Sequence, residues 1–100
     1  MPLEWDEVKR RYAGGTLVPT VAGGKTLEVT GVDDTGIHIR GGRLWTATLE
    51  REHLERAARL VEEGRLSRLP VSFVEGYHEL VAPERGTAVA HILNDFGYID

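Results

Sequence analysis

The sequence predicts an α+β fold with an N-terminal helix, an antiparallel three-stranded meander with a possible extra edge strand before it, and then three helices. Two observations lead to this prediction. Polar and apolar residues alternate with a period of two between positions 26 and 48, as they do in half-buried strands. After position 48, apolar residues recur about every 3.6 positions, which is the period of an amphipathic helix.

The three strands of the meander are predicted at residues 26–30, 37–40 and 43–48. Alternation in the second strand turns Ile37 and Ile39 towards the core. The third strand is rich in β-branched and aromatic residues, which favour extended structure.

Glycine-containing turns separate these strands. Residues 33–36 read Asp-Asp-Thr-Gly, and Gly36 is expected to adopt the positive φ that closes such a turn. The Gly41-Gly42 pair is predicted to form a two-residue loop, which would set the register of the second and third strands.

The helix after the meander is the most strongly patterned element. Thr48 is its expected N-cap, and Gly64 is its expected left-handed C-terminal cap. Its apolar stripe consists of Leu54, Ala57, Ala58, Leu60 and Val61.

Three further helices are predicted at residues 1–12, at residues 71–81, and from Pro83 to Gly97. The segment 16–20 is β-branched but contains Pro19, so it is expected to be an edge strand or an extended connector. The helical residues expected on buried faces are Trp5, Val8 and Tyr12 in the first helix, and Val89, Ile92, Leu93 and Phe96 in the last.

Composition limits the class of protein. One hundred residues fit one small domain, and without cysteine neither disulfides nor thiolate metal sites are expected. The formal net charge of -4 disfavours nonspecific attraction to nucleic acid or anionic lipid. We find no signal peptide and no apolar run of about eighteen residues, the length of a membrane-spanning helix. We therefore expect a cytoplasmic protein without a membrane partner. The scarcity of Gln, Asn and Met fits a thermophilic source or a GC-rich genome equally well.

The chain resembles a group of small bacterial α+β domains. Their pattern begins with Gly-x-Thr-Leu, continues through a Val-containing strand and a strand-to-helix junction, and ends in a helix close to Ser-Tyr-Val-Ala-Ala-Ile-Leu. The matching segments are residues 14–17, 27–32, 48–60 and 87–93, with Ala88 in place of the aromatic residue. The resemblance implies a standalone bacterial domain and attaches no activity to it.

Two short motifs copy parts of ligand sites. Gly24-Lys25-Thr26 matches the end of a phosphate-binding loop, but Pro19 occupies the position of the first glycine and a strand is predicted to follow. His78-Glu79 matches the first two residues of the zinc-binding motif of metalloproteases. That motif needs a second histidine four residues after the first, and this position is Ala82. We therefore expect no cofactor and no metal.

Catalytic residues are equally hard to identify. The two serines, Ser67 and Ser72, lie outside a Gly-x-Ser-x-Gly turn, and the chain has no thiol. Asp33 and Asp34 are adjacent carboxylates in a predicted turn, where Asp commonly bonds to nearby backbone. No catalytic residue is predicted.

A candidate binding face follows from the expected register. A two-residue loop would place Arg40 opposite Arg43 and His38 opposite Trp45, away from the core. Two facing arginines repel unless an anionic or aromatic group lies between them. His38, Arg40, Arg43 and Trp45 are therefore the candidate binding face, with Trp45 as a flat anchor and the guanidinium groups for phosphate or carboxylate.

The alternative is that Trp45 belongs to the core. In that case Trp5 and Tyr12 of the N-terminal helix would cover it, and only solvated arginines would remain on the face.

Because no chemical constellation is visible, we expect a non-enzymatic interaction or regulatory module that binds a protein partner or itself as a homo-oligomer. The alternative is a nucleic-acid-binding domain of winged-helix-like character, with Arg40 and Arg43 on phosphates. A small hydrolase or isomerase is the third class.

Overall fold

A computed structural model describes residues 3–19, 26–41 and 45–100. The elements, in chain order, are the helix α1 (Trp5–Tyr12), the strands β1 (Thr16–Pro19), β2 (Thr26–Val32), β3 (Gly36–Gly41) and β4 (Trp45–Glu50), and the helices α2 (Arg51–Glu62), α3 (Pro70–Leu80) and α4 (Gly86–Asp95). The predicted α+β class and the order of its elements are confirmed. The extra edge strand is present as β1.

The four strands form one antiparallel sheet in the order β1-β2-β3-β4. Alternation along the strands gives the sheet one buried face and one open face. The buried face carries Val18, Val29, Ile37, Ile39 and Leu49. On the open face, one row across the sheet joins Leu17, Glu28, Arg40 and Thr46, and Leu17 is 62% exposed.

Helix α2 packs its predicted stripe into the core, since all five of the stripe residues are buried. Gly64 has a φ of 77°. The Arg65 N–H reaches back to the Leu60 carbonyl at 2.8 Å, so the expected left-handed termination is confirmed. The predicted cap at Thr48 is wrong. Strand β4 continues to Glu50, which is the N-cap residue, because Thr48 pairs with His38 in the sheet.

Helix α1 is confirmed over its described part, with Trp5, Val8 and Tyr12 buried. The Trp5 indole Nε1–H donates to the Asp33 carbonyl oxygen at 2.8 Å, which ties the helix to the β2–β3 turn. Residues 1–2, including the expected helix-starting proline, lie outside the described residues, as do Thr20 at the end of the predicted edge strand and the Gly24-Lys25 motif.

Helices α3 and α4 close the core. The predicted helix at 71–81 is confirmed, and it begins with Pro70 in the first turn. Helix α4 begins at Gly86 rather than at Pro83, so the predicted start is wrong by three residues. Arg85 takes the N-cap position with a φ of 69°, which is a left-handed conformation. None of the helices in the described part of the chain has the length and apolarity needed to cross a membrane.

The turn between β2 and β3 differs from prediction in one respect. Gly36 is not among the described glycines with positive φ, so the conformation expected of it is wrong. Glycine is required there for another reason, because a Cβ atom would collide with the backbone carbonyl oxygen of Leu49. Asp33 supplies the predicted turn chemistry by accepting from the backbone N–H of Thr35 at 2.8 Å.

Candidate functional site

The register of β3 and β4 changes the predicted binding face. Arg40 pairs with Thr46 and His38 pairs with Thr48, so the pairings expected with Arg43 and Trp45 are wrong. Trp45 pairs with Gly41, which makes the connection three residues long instead of two. Moving the register by an odd number of residues exchanges the two faces of the strand.

The position opposite His38, which the prediction gave to Trp45, is occupied by Thr48. Arg43 and the side chain of Trp45 lie outside the described residues. Their part in a binding face stays a prediction, as does the alternative that Trp45 is core.

Arg40 is held by a carboxylate across the sheet. Its Nη2 lies 2.5 Å from Glu28 Oε2 and its Nε lies 3.2 Å from Oε1, which is a two-pronged contact. The hydrogen bond from Arg40 lowers the pKa of the Glu28 carboxyl below its usual value. The pair carries no net charge, so its electrostatics do not favour phosphate as a ligand of Arg40.

His38 joins two neighbouring elements on the open face. Its Nε2 lies 2.7 Å from Asp33 Oδ2, and its Nδ1 lies 2.9 Å from the hydroxyl oxygen of Thr48. The pKa of Asp33 is well below its usual value, because it accepts hydrogen bonds from the Thr35 hydroxyl and from His38. Sequence reasoning missed this network because the contact of His38 with Thr48 depends on the register.

Asp33, His38 and Thr48 are the residue types of a hydroxyl-nucleophile triad. A nucleophile also needs a substrate site that its base can reach. The cavity beside Thr48 is not lined by His38 or Asp33. We interpret the three side chains as a structural tie between the β2–β3 turn and β4.

The backbone of β4 has groups that point away from the sheet. The Arg51 N–H donates to the Thr35 carbonyl at 2.9 Å, in the same register as the β3–β4 pairs. Hydrogen-bonded pairs alternate in an antiparallel ladder, so the odd-numbered residues of β4 bond to β3. Thr46 and Thr48 therefore direct their N–H and C=O groups towards the open edge. Among the described residues, these groups have no backbone partner.

The opposite edge, β1, is different. The register of β2 shifts between Val29 and Gly31, but beyond that point Glu28 bonds to Arg40 of β3. Its partner Leu17, and Pro19 two residues on, therefore direct their backbone away from the sheet. Proline has no backbone N–H to donate, and on edge strands it commonly prevents pairing with another strand. Helix α4 also lies against β1. Of the two edge strands, β4 is the one that contains no proline.

A groove runs along the β4 edge. It has a volume of about 370 Å³, and residues 46–50 form one wall and residues 82–85 the other, with His53 and Tyr77 between them. Burial, together with the negative charge of Glu50, raises the pKa of Tyr77 to about 12, so its hydroxyl is neutral at pH 7. Glu50, Glu84 and Arg85 place both signs of charge around the groove.

A second cavity, of about 400 Å³, lies at the start of α4 and brings His78 and His91 together with Arg85. His91 is only 8% exposed, and burial lowers its pKa, which favours the neutral imidazole. His53 lines the other groove. Within the described ranges, no three histidine or carboxylate side chains converge in a way that could hold a metal ion.

Comparison with known proteins found no matching family model, no matching curated protein and no matching solved structure. The resemblance to small bacterial domains therefore stays a prediction, and the function is inferred from geometry.

Proposed function

We propose that this chain is a non-enzymatic interaction module that binds a polypeptide, either a partner protein or a second copy, by adding a strand to β4. The observation that carries the proposal is the pair of outward-facing backbone positions at Thr46 and Thr48. An extended strand is the ligand that matches such a pattern, because it presents N–H and C=O groups at the same spacing.

The dimensions of the site agree with this ligand. Two residues of strand span about 6.8 Å, so Thr46 and Thr48 offer two hydrogen-bonding positions and four backbone groups. Alternate side chains of an added strand would enter the groove beside residues 82–85. Ala47, Leu49 and Pro83 provide apolar contacts within an otherwise polar lining, so small apolar side chains would fit against them.

The surrounding chemistry favours binding over catalysis. The Asp33–His38–Thr48 tie lies on the open face, and Arg40 is neutralised by Glu28. The threonines beside the edge are uncharged, so recognition would depend mainly on backbone bonds. We therefore expect modest affinity and a broad choice of sequence, since backbone bonds alone do not distinguish side chains.

The test uses a synthetic peptide with the β4 sequence, Trp45–Glu50, added to the isotope-labelled protein. We expect saturable shifts of the Thr48 amide resonance and slower hydrogen exchange at that amide. In Thr46→Pro, one outward N–H is lost without loss of a β3 bond, so the response should weaken. Thr46→Val keeps every backbone group and should respond like the wild type.

Two results would count against the proposal. One is a peptide that leaves the Thr48 amide unchanged in the wild-type protein. The other is an equal response in Thr46→Pro, because the peptide would then be binding somewhere other than the edge.

A further inference from the structure

We propose that the strand that adds to β4 is the β4 of a second copy of this chain, antiparallel to the first and related to it by a two-fold axis at Ala47. This inference rests on the proposed function, because it names the polypeptide that the edge binds. It is a separate claim, since a free edge can accept a peptide without accepting a whole second protein.

The outward groups of β4 are complementary to themselves. With the axis at Ala47, Thr46 lies opposite Thr48 of the second copy, and the reverse pair forms by symmetry. Both positions direct N–H and C=O outwards, so each pair exchanges two bonds and the interface has four. An axis between two residues would instead pair the open face of one copy with the buried face of the other.

The side chains at this edge also suit a symmetric contact. A two-fold axis perpendicular to the sheet keeps the helices of both copies on the same side. The open face then carries threonine against threonine, which is a favourable cross-strand pair. Ala47 meets its own copy in a non-hydrogen-bonded pair, where Cα atoms lie about 4.5 Å apart, and its methyl group fits that spacing.

Electrostatics do not oppose the pairing. Residues 46–48 are uncharged, so no like charges face each other at the centre. Glu50 lies three positions from Ala47, or about 10 Å along the strand. The two copies of Glu50 would be about 20 Å apart, which is beyond the screening length of about 8 Å at physiological salt.

This contact is expected to be weak. Stable interfaces bury about 1,200 Å² or more, whereas a short strand pair contributes only part of that area. We expect a reversible dimer with a dissociation constant of roughly 0.1–1 mM. Such a dimer would form only at high local concentration.

The first experiment is sedimentation from about 10 μM to about 1 mM, a range chosen around the expected dissociation constant. The wild type should shift from monomer towards dimer. Thr46→Pro removes two of the four bonds, because the change occurs in both copies, and should weaken dimerisation about tenfold. Thr46→Val should dimerise like the wild type.

The second experiment uses the absence of cysteine from the chain. Ala47→Cys places one thiol at the axis, where the Cα separation suits a disulfide, so mild oxidation should yield covalent dimers. Thr46→Cys is the matched control. Its two thiols would belong to diagonal positions with Cα atoms roughly 8 Å apart, so cross-linking should be much slower.

A protein that stays monomeric up to about 1 mM would overturn the second copy as partner. Equal dimerisation of wild type and Thr46→Pro, or faster cross-linking of Thr46→Cys than of Ala47→Cys, would also overturn it. The peptide titration gives a separate answer. If the peptide binds the edge while the whole protein stays monomeric, strand addition stands and the partner is another polypeptide.

Discussion

Tyr12 and Asp95 join the first helix to the last, and the free energy of their contact can be measured by removing each partner. Tyr12 has 0% exposed surface, and its hydroxyl donates to Asp95 Oδ2 at 2.8 Å. The same oxygen accepts from Arg11 Nε at 2.9 Å. The Tyr12 ring packs edge-on against Phe96, with ring centres 5.7 Å apart. Removing the hydroxyl therefore changes a hydrogen bond and leaves the ring packing in place.

The expected magnitudes follow from burial and charge. Tyr12→Phe removes a hydrogen bond to a charged acceptor, and such a bond contributes about 1.5–3 kcal/mol to the free energy of unfolding. Asp95→Ala leaves the buried Tyr12 hydroxyl without its acceptor, at a cost of about 1–3 kcal/mol. It also removes the exposed Arg11 pair, which contributes about 0.2–1 kcal/mol. The double variant should be more stable than the sum of the two losses predicts, by about 1–2 kcal/mol.

Urea unfolding at pH 7 measures all four members of this cycle. With a slope of about 1–3 kcal/mol per molar urea, a loss of 2 kcal/mol lowers the midpoint by about 1 M. Additive losses in the double variant, within about 0.5 kcal/mol, would show that the hydroxyl and the carboxylate do not interact as described.

Three further predictions concern glycine, pH and the ladder of β4. Gly36→Ala should lower the thermal midpoint clearly, because the new Cβ would meet a backbone oxygen, whereas Gly31→Ala, with nothing within 4 Å, should leave it unchanged or slightly higher. Burial raises the pKa of Asp95, but the hydrogen bonds from Arg11 and Tyr12 outweigh burial and hold the pKa below its ordinary value. Its contribution to stability is therefore present above the pKa of the unfolded chain and is lost as the pH falls through the lower pKa of the folded protein. The stability gap between the wild type and Asp95→Asn in urea titrations should close on acidification, and a constant gap would contradict this. Finally, Ala47→Pro removes a hydrogen bond to β3 and should lower the free energy of unfolding in urea by about 3 kcal/mol, whereas Thr46→Pro should lower it much less. Equal losses would contradict the assigned directions of the two backbone N–H groups.

The helices were predictable from the sequence because their signals are local. The apolar stripe of α2 repeats over two turns. The helix ends at Gly64 because a single glycine can adopt the left-handed conformation of a C-terminal cap. The start of α4 was less predictable. Pro83 suits a first helical position, but the buried residues begin only near Gly86. Periodicity therefore predicted the presence of the helix but not the residue at which it begins.

The candidate site depended on information that periodicity does not contain. Alternation identifies β3 and β4, but their register depends on the length of the connection between them. The two adjacent glycines predicted a two-residue loop, whereas the connection has three residues. The contact of His38 with Thr48 and the outward direction of the Thr46 backbone both follow from the true register. A meander implies that its last strand is an edge, but which backbone groups that edge exposes became clear only from the pairing.

Amide hydrogen exchange along β4 distinguishes an edge with free backbone groups from one whose groups are already bonded. In dilute protein, Ala47 and Leu49 should be protected by their bonds to β3, while Thr46 and Thr48 should exchange rapidly because their amides face the open edge. When the β4 peptide is added, exchange at Thr46 and Thr48 should slow and that at Ala47 should change little. If Thr46 and Thr48 are already as protected as Ala47 in dilute protein, the edge is not free and β4 cannot accept another strand.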